Sequence, residues 1–269
     1  MRTVHHKNKP LRLASVEITR RCNNRCVYCE HPKAEEDLHI SRFSELLDEL
    51  VSEDFEAVAL GGGEPTLHPE LPDFLEAIRG RGLKAGLTTN ARDPEEVLRL
   101  ADAGLLDTFG VSAGKGIWQR PVTHPAAVVN LLLLQKGLVQ VMKWATESVR
   151  LGAGRLLLLG YKGSVSDFTP TTDELSEALL LLTCLGKKFG TAVAADDYTR
   201  RRLGLTTTCG EGFRRIDIYG RTDFCCFPEC EYREPPFDRL NPSTGSGTGG
   251  SGTDRLSPST GSRENPDLI

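Results

Sequence analysis

The sequence predicts an α/β fold built on a parallel sheet, and three observations predict it. Short apolar segments alternate six times with segments of helical periodicity across residues 11–190. Hydrophobic residues make up 39% of the 269, enough to fill the core of one large domain. From Asn241 the chain turns to Gly, Ser, Thr and Pro with few apolar side chains, so the foldable part ends near residue 240. Repeated strand–helix–strand units imply parallel strands joined by right-handed crossovers. The strands read as continuously apolar, as strands covered on both faces do. A doubly wound sheet and a partial barrel both satisfy this alternation.

The elements follow in order. Residues 11–19 (LRLASVEIT) form the first strand, and residues 41–53 a helix with Phe43, Leu46, Leu47, Leu50 and Val51 on one face. EAVAL is the second strand and ends in Gly61-Gly62-Gly63-Glu64-Pro65. A helix opening at Pro69 carries Leu71, Phe74, Leu75 and Ile78. KAGLTTN is the third strand. Asp93 as N-cap, Pro94 at the first position and Glu96 as capping-box acid open the third helix. DTFGVSA is the fourth strand, and GKGIWQRPVTHP after it is too irregular for an ordinary helix. VVNLLLLQ is the fifth strand, followed by a helix over 138–151. RLLLLGYKG is the sixth, and the last helix starts at Thr171 with Glu174 in capping-box position. Arg215 to Tyr219 and Thr222 to Phe227 read as a hairpin turning at Gly220.

A net charge of −4 gives no global field for nucleic acid or anionic membranes. The Arg200, Arg201, Arg202 cluster reads as a solvated helix end. No apolar run reaches the ~20 residues that span a bilayer, and the start lacks a signal-peptide core. The expected compartment is the cytoplasm. Cysteines there serve as metal ligands or redox groups rather than disulfides. The eight fall into an early group and a late one, with Cys184 between them, expected as a packing cysteine inside an apolar helix.

Cys22, Cys26 and Cys29 lie within eight residues, directly after the first strand. Three thiolates on a four-iron cluster leave one iron open to chelate a small molecule, whereas four would leave it only electron transfer. A zinc ion would need a fourth ligand, for which His31 is at hand. This C-x3-C-x2-C spacing, with aromatic Tyr28 before the last cysteine, resembles the signature of the radical S-adenosylmethionine (SAM) superfamily. Gly62, Gly63, Glu64 and Pro65 resemble its G-G-E-P motif, which binds the SAM amino group. The resemblance covers roughly residues 11–232. It implies a partial (β/α)6 barrel like a TIM barrel, a [4Fe–4S] cluster on the three cysteines, and reductive cleavage of SAM to a 5′-deoxyadenosyl radical that takes hydrogen from a substrate. It implies an electron donor such as flavodoxin or ferredoxin. Asn90, Ser112 and Asn130, near the strand ends where such barrels assemble chemistry, are further candidate SAM contacts. Thr89, Tyr161 and Lys162 share that position, Lys162 as a partner for an acid.

Cys209-Gly-Glu-Gly and the hairpin cysteines resemble the auxiliary-cluster modules (SPASM and twitch) of radical SAM peptide modifiers. This implies a second cluster on Cys209, Cys225 and Cys230, with a structural zinc clip as the alternative. Neighbouring residues of a strand face opposite sides, so Cys226 is left as the candidate hydrogen donor. The expected division is a barrel core over 11–190, a Cys-rich hairpin extension over 191–240 and a disordered tail over 241–269. A peptide substrate is expected from the hairpin, although only about ten residues precede the first strand and leave no room there for a leader-binding domain. A small-molecule or nucleotide substrate is the alternative within the family. A non-catalytic iron–sulfur redox module is the alternative outside it, and G-G-E-P argues against that.

Overall fold

The computed structural model describes residues 11–114, 116–206, 210–225 and 232. Nine strands form one sheet: β1 (Leu13–Thr19), β2 (Ala57–Gly62), β3 (Lys84–Thr89), β4 (Thr108–Ser112), β5 (Ala127–Leu133), β6 (Arg155–Gly160), β7 (Ala192–Ala195), β8 (Phe213–Ile216) and β9 (Thr222–Asp223). Helices α1 (Ile40–Ser52), α2 (Leu71–Gly80), α3 (Pro94–Asp102), α4 (Leu138–Leu151), α5 (Thr172–Phe189) and α6 (Asp197–Arg202) connect them. The strand order is β7-β6-β5-β4-β3-β2-β1-β8-β9, and every pair is parallel except β8–β9.

That order decides between the two architectures. Strands β1 to β7 are added one after another in one direction. Right-handed crossovers then place all their helices on one face, whereas a doubly wound sheet reverses direction to cover both. Burial agrees. Val16, Ile18, Val58, Leu60, Leu87, Phe109, Val111, Val129 and Leu131 are buried in one cluster with Phe43, Leu47, Phe74 and Ile78 of the helices. The alternate positions face the other way and on β2 to β4 are small: Ala59, Gly86, Thr88, Gly110 and Ser112, whereas β5 and β6 present Leu132, Leu157 and Leu159. The expectation of strands apolar on both faces is therefore corrected. β1 and β6 alternate buried and half-buried residues, because helices cover one side only. The sheet's two ends approach one another, since Tyr198 of α6 packs against Cys225 just beyond β9. The end strands β7 and β9 pair only with β6 and β8.

Local signals explain most boundaries. α5 carries the predicted capping box, with Thr171 and Glu174 each bonded to the other's backbone. Glu174 also accepts from Lys136 N–H at 2.6 Å, fixing the turn before α4. α4 ends where Gly152 adopts φ +102°, a conformation that favours glycine. Asp93 caps α3, but Glu96 turns to Arg99 instead of closing the box. α2 begins at Leu71 and not at Pro69, because buried His68 accepts the Glu70 N–H and delays the helix. β7 and α6 were not predicted: four residues of Ala and Val are too short for a periodic signal. The first hairpin strand ends at Ile216 because the Asp217 carboxylate takes the N–H groups of Tyr219 and Arg221 and makes a turn.

Two further expectations are corrected. Cys184 is exposed: α5 buries Leu175, Ala178, Leu182 and Gly186, and Cys184 falls off that stripe. The arginine cluster is only partly solvated. Arg202 donates to Pro170 O at 2.8 Å and lies over Tyr198, and Arg201 lies over Tyr232. The tail, 241–269, lies outside the described residues.

Candidate active site at the strand ends

Parallel strands bring their C-terminal ends to one rim. The loop after β1 carries Cys22, Cys26 and Cys29. Cys22 and Cys26 are half-buried and Cys29 is exposed. The Cys29 N–H donates to Cys26 O at 3.1 Å, which curls the last two cysteines into a turn. Burial, with the Cys26 and Cys29 sulfurs beside it, pushes the Tyr28 phenol well above its ordinary range.

The G-G-E-P turn lies against the backbone that leads into this loop. Gly63 N–H donates to Thr19 O and Glu64 N–H to Arg21 O, each at 2.7 Å. A Cβ at Gly62, which has φ +118°, would overlap Thr19 O, and one at Gly63 would overlap Arg21 O. Both glycines are thus required by the chain's own packing, whether or not a ligand approaches. Glu64 is 2% exposed. Its carboxylate accepts from Thr89 Oγ1 at 2.7 Å, Thr66 Oγ1 at 2.8 Å and Asn90 N–H at 2.7 Å. Burial raises its pKa, and these donors pull the other way. Pro65 is buried in a short 3-10 turn over Pro65–Leu67.

Asn90 links this turn to the cysteine loop. Its backbone N–H serves Glu64, its amide donates to Asn23 Oδ1 at 2.9 Å, and its Oδ1 accepts from Arg92 N–H. Arg92 in turn donates to Asn24 Oδ1 at 2.9 Å. Ser112 and Asn130 are paired across β4 and β5 on the face away from the helices. Asn130 is buried, and its amide lies against Gly110, where a Cβ would meet Nδ2 at 2.5 Å. Lys162 is paired with Asp196 at 2.6 Å, so its charge is already answered.

Three acidic residues that the sequence did not mark hold the loop. Glu17 on β1 meets Arg20 Nε at 2.9 Å, His31 Nε2 at 3.3 Å and Ile218 N–H at 3.4 Å. It therefore ties both flanks of the cysteine loop to the turn after β8. Burial raises its pKa, but His31 and Arg20 outweigh that and hold it low. Glu30, next to Cys29, accepts from the Tyr161 hydroxyl and from Ser164 N–H, both at 2.7 Å. Asp37 accepts from Thr19 Oγ1 at 2.6 Å and Arg21 Nε at 2.9 Å and anchors the return of the loop. The signal in each case was an acid beside the motif, too common to single out.

The donor set can be tested against the two metal readings. A zinc ion gathers four ligands within about 2.3 Å of one point. Among the described residues no three His, Cys, Asp or Glu side chains converge in that way, and His31 faces Glu17. An iron–sulfur cluster takes one thiolate per iron and so accepts ligands spread more widely. Three thiolates with no fourth ligand beside them among the described residues are the donor set of a cluster with one open iron. Of the second group, only Cys225 is described: it is buried, and its N–H donates to Asp223. Cys209, Cys226 and Cys230 lie outside the described residues.

Residues 16–113 match the family model of the Radical SAM superfamily. That stretch contains the cysteine loop, the G-G-E-P turn and strands β2 to β4. The chain is 33% identical over 94 residues to Fe-coproporphyrin III synthase of Methanosarcina barkeri, covering 33% of this chain and 24% of that one. It is 33% identical over 96 residues to PqqA peptide cyclase of Bradyrhizobium diazoefficiens, covering 34% and 25%. The aligned part is about a quarter of the length of these relatives. In fold it is similar to Streptococcus suis SuiB bound to its precursor peptide SuiA, with TM-score 0.66, 13% identity, 80% of this chain and 59% of that one. These relatives and neighbours are enzymes. No helix among the described residues is long and apolar enough to cross a membrane.

Proposed function

We propose that this chain is a radical SAM enzyme, with Cys22, Cys26 and Cys29 holding a [4Fe–4S] cluster whose fourth iron binds SAM. The observation that carries the reading is the stacking of two motifs at one strand end: the G-G-E-P turn lies directly beneath the backbone that leads into the cysteine loop. When bound, the cluster and SAM supply one-electron chemistry that ends in hydrogen abstraction from the substrate. The protein's part is placement. Gly62, Gly63 and Pro65 present backbone to the SAM amino group, while Glu64, satisfied by donors of the protein, shapes the turn. Asn90 sets the distance between turn and loop. Ser112 and Asn130 lie where the carboxylate or ribose would rest, and the small side chains around them leave room for the nucleoside. Tyr28 covers the cysteine turn.

We assign a peptide or protein substrate. The fold likeness to SuiB with its precursor peptide and the local likeness to PqqA peptide cyclase support it. A small-molecule or nucleotide substrate is the second reading, supported by the local likeness to an S-adenosylmethionine-dependent nucleotide dehydratase of a Thermoplasmatales archaeon. A second cluster on Cys209, Cys225 and Cys230, with Cys226 as hydrogen donor, extends the proposal, as do a flavodoxin or ferredoxin donor and a cytoplasmic location. The division into a core over 11–190, an extension over 191–240 and a tail over 241–269 belongs to the same reading. The test is anaerobic reconstitution with iron and sulfide, then SAM and dithionite, measuring 5′-deoxyadenosine. Candidate peptides deuterated at Cα then show whether label reaches that product. Label arriving only from a nucleotide or other small molecule would select the second reading.

A further inference from the structure

One contact joins the cysteine loop to the far side of the rim. Glu30 directly follows Cys29, yet its carboxylate is engaged by residues 131 and 134 positions away, the Tyr161 hydroxyl and the Ser164 N–H. The Tyr161 hydroxyl also accepts from Val165 N–H at 3.3 Å. Tyr161 is 4% exposed, and its ring meets Phe168 edge-on with centroids 5.6 Å apart. Gly163 completes the arrangement: a Cβ there would overlap both the Tyr161 hydroxyl and Glu30 Oε1. The loop between β6 and α5 thus holds one carboxylate with a buried phenol, the Ser164 N–H and an obligatory glycine, while the Val165 N–H orients the phenol. The next residue, Lys162, pairs with Asp196 at the start of α6 and lies 5.9 Å from the Tyr198 ring, which packs on Cys225.

We propose that Tyr161 and Glu30 are positioning residues for the third cysteine, a clasp through which the loop between β6 and α5 sets the place of Cys29. The inference rests on the reading of Cys22, Cys26 and Cys29 as cluster ligands. It goes beyond that reading in stating that the geometry of the third ligand is governed from the opposite side of the rim. A substrate that displaces residues 161–165 then acts on Cys29 without touching it.

The experiment compares the full-length chain with Tyr161→Phe, Glu30→Gln and the double variant. Tyr161→Phe keeps the buried ring and removes only the hydroxyl. After anaerobic reconstitution, both single variants are expected to retain the wild-type iron content. Their reduced clusters with SAM bound are expected to give altered electron paramagnetic resonance spectra, which a merely structural loss elsewhere does not produce. In the chain without iron, hydrogen exchange at the Cys29 amide is expected to rise on the order of fivefold, the factor given by one lost hydrogen bond. The double variant is expected to match the single ones, because either change opens the clasp. Unchanged spectra together with unchanged exchange in Tyr161→Phe overturn the proposal, and so do effects of the two changes that simply add. Should the wild-type chain take up no iron, the cluster reading fails, and exchange at Cys29 still decides the clasp.

Discussion

The two cysteine groups sit in differently built surroundings. Around the first, carboxylates and amides from several strand ends converge: Glu17 from β1, Glu64 from the end of β2, Asn90 after β3, and Tyr161 and Ser164 after β6 reaching Glu30. Of the second group, Cys225 is the described member. Cys225 is bonded through its N–H to Asp223 and packed between Tyr198 and Tyr232. The first group is a loop held by hydrogen bonds from several elements of the protein. That preorganisation is what a reactive centre needs to hold a ligand in one geometry. Cys225 of the second group is placed beside aromatic rings.

The comparison breaks most visibly at the first group. Cys26→Ala is expected to abolish deoxyadenosine formation while leaving circular dichroism and the melting transition near wild type, since Cys26 is only half-buried. Continued SAM cleavage by a folded Cys26→Ala protein would falsify the central assignment. The second group is sharpened by replacing Cys22, Cys26 and Cys29 together with alanine. If the late cysteines hold a cluster, this variant keeps part of its iron and its charge-transfer absorption. A variant that carries zinc and no iron identifies them as a structural clip.

The density of ties around Glu64 leads to a stability prediction. Glu64→Ala strands Asn90 N–H and two threonine hydroxyls in a buried site and is expected to cost about 1–3 kcal/mol, read as a fall in the urea midpoint. The pH dependence has a definite sign. Because the folded-state pKa of Glu64 is raised, the folded protein binds that proton more tightly than the unfolded chain does. This contribution is fully present below the ordinary glutamate value of about 4.3 and is lost as pH rises through the elevated one. Stability plotted against pH should therefore lose that decline in Glu64→Gln, and a parallel pair of curves would refute the assignment. The smallest effect is expected at the other end of the chain. Removing 242–269 should leave melting temperature and SAM cleavage nearly unchanged, since that stretch offers no apolar face; a large drop in either shows that it packs.

Much of the parallel sheet and its helices was legible because their signals are local. Strand segments, the capping box at Thr171 and the helix over 138–151 each follow from patterns a few residues long. The placement of the cysteine loop and G-G-E-P at adjacent strand ends was legible for the same reason. What sequence could not show were the partners. Glu17 and Ile218 are 201 positions apart, and Glu30 and Tyr161 are 131 apart; no local spacing marks either pair. Gly163 carried a faint signal, a glycine just past a strand end beside an aromatic residue. The bonds that Glu64 makes to Thr89 and Asn90, and Asn90 to Asn23, likewise join residues that no local spacing links.

The alternation along the strands separates two kinds of change open to this chain over generations. Val16, Leu60, Leu87 and Val111 are committed to the helices, and altering them endangers folding. Ser15, Ala59, Thr88 and Ser112 point the other way and support no packed layer. Substitutions among the second set change that face of the sheet at little cost to folding, so one side of this scaffold is free to vary while the other stays intact.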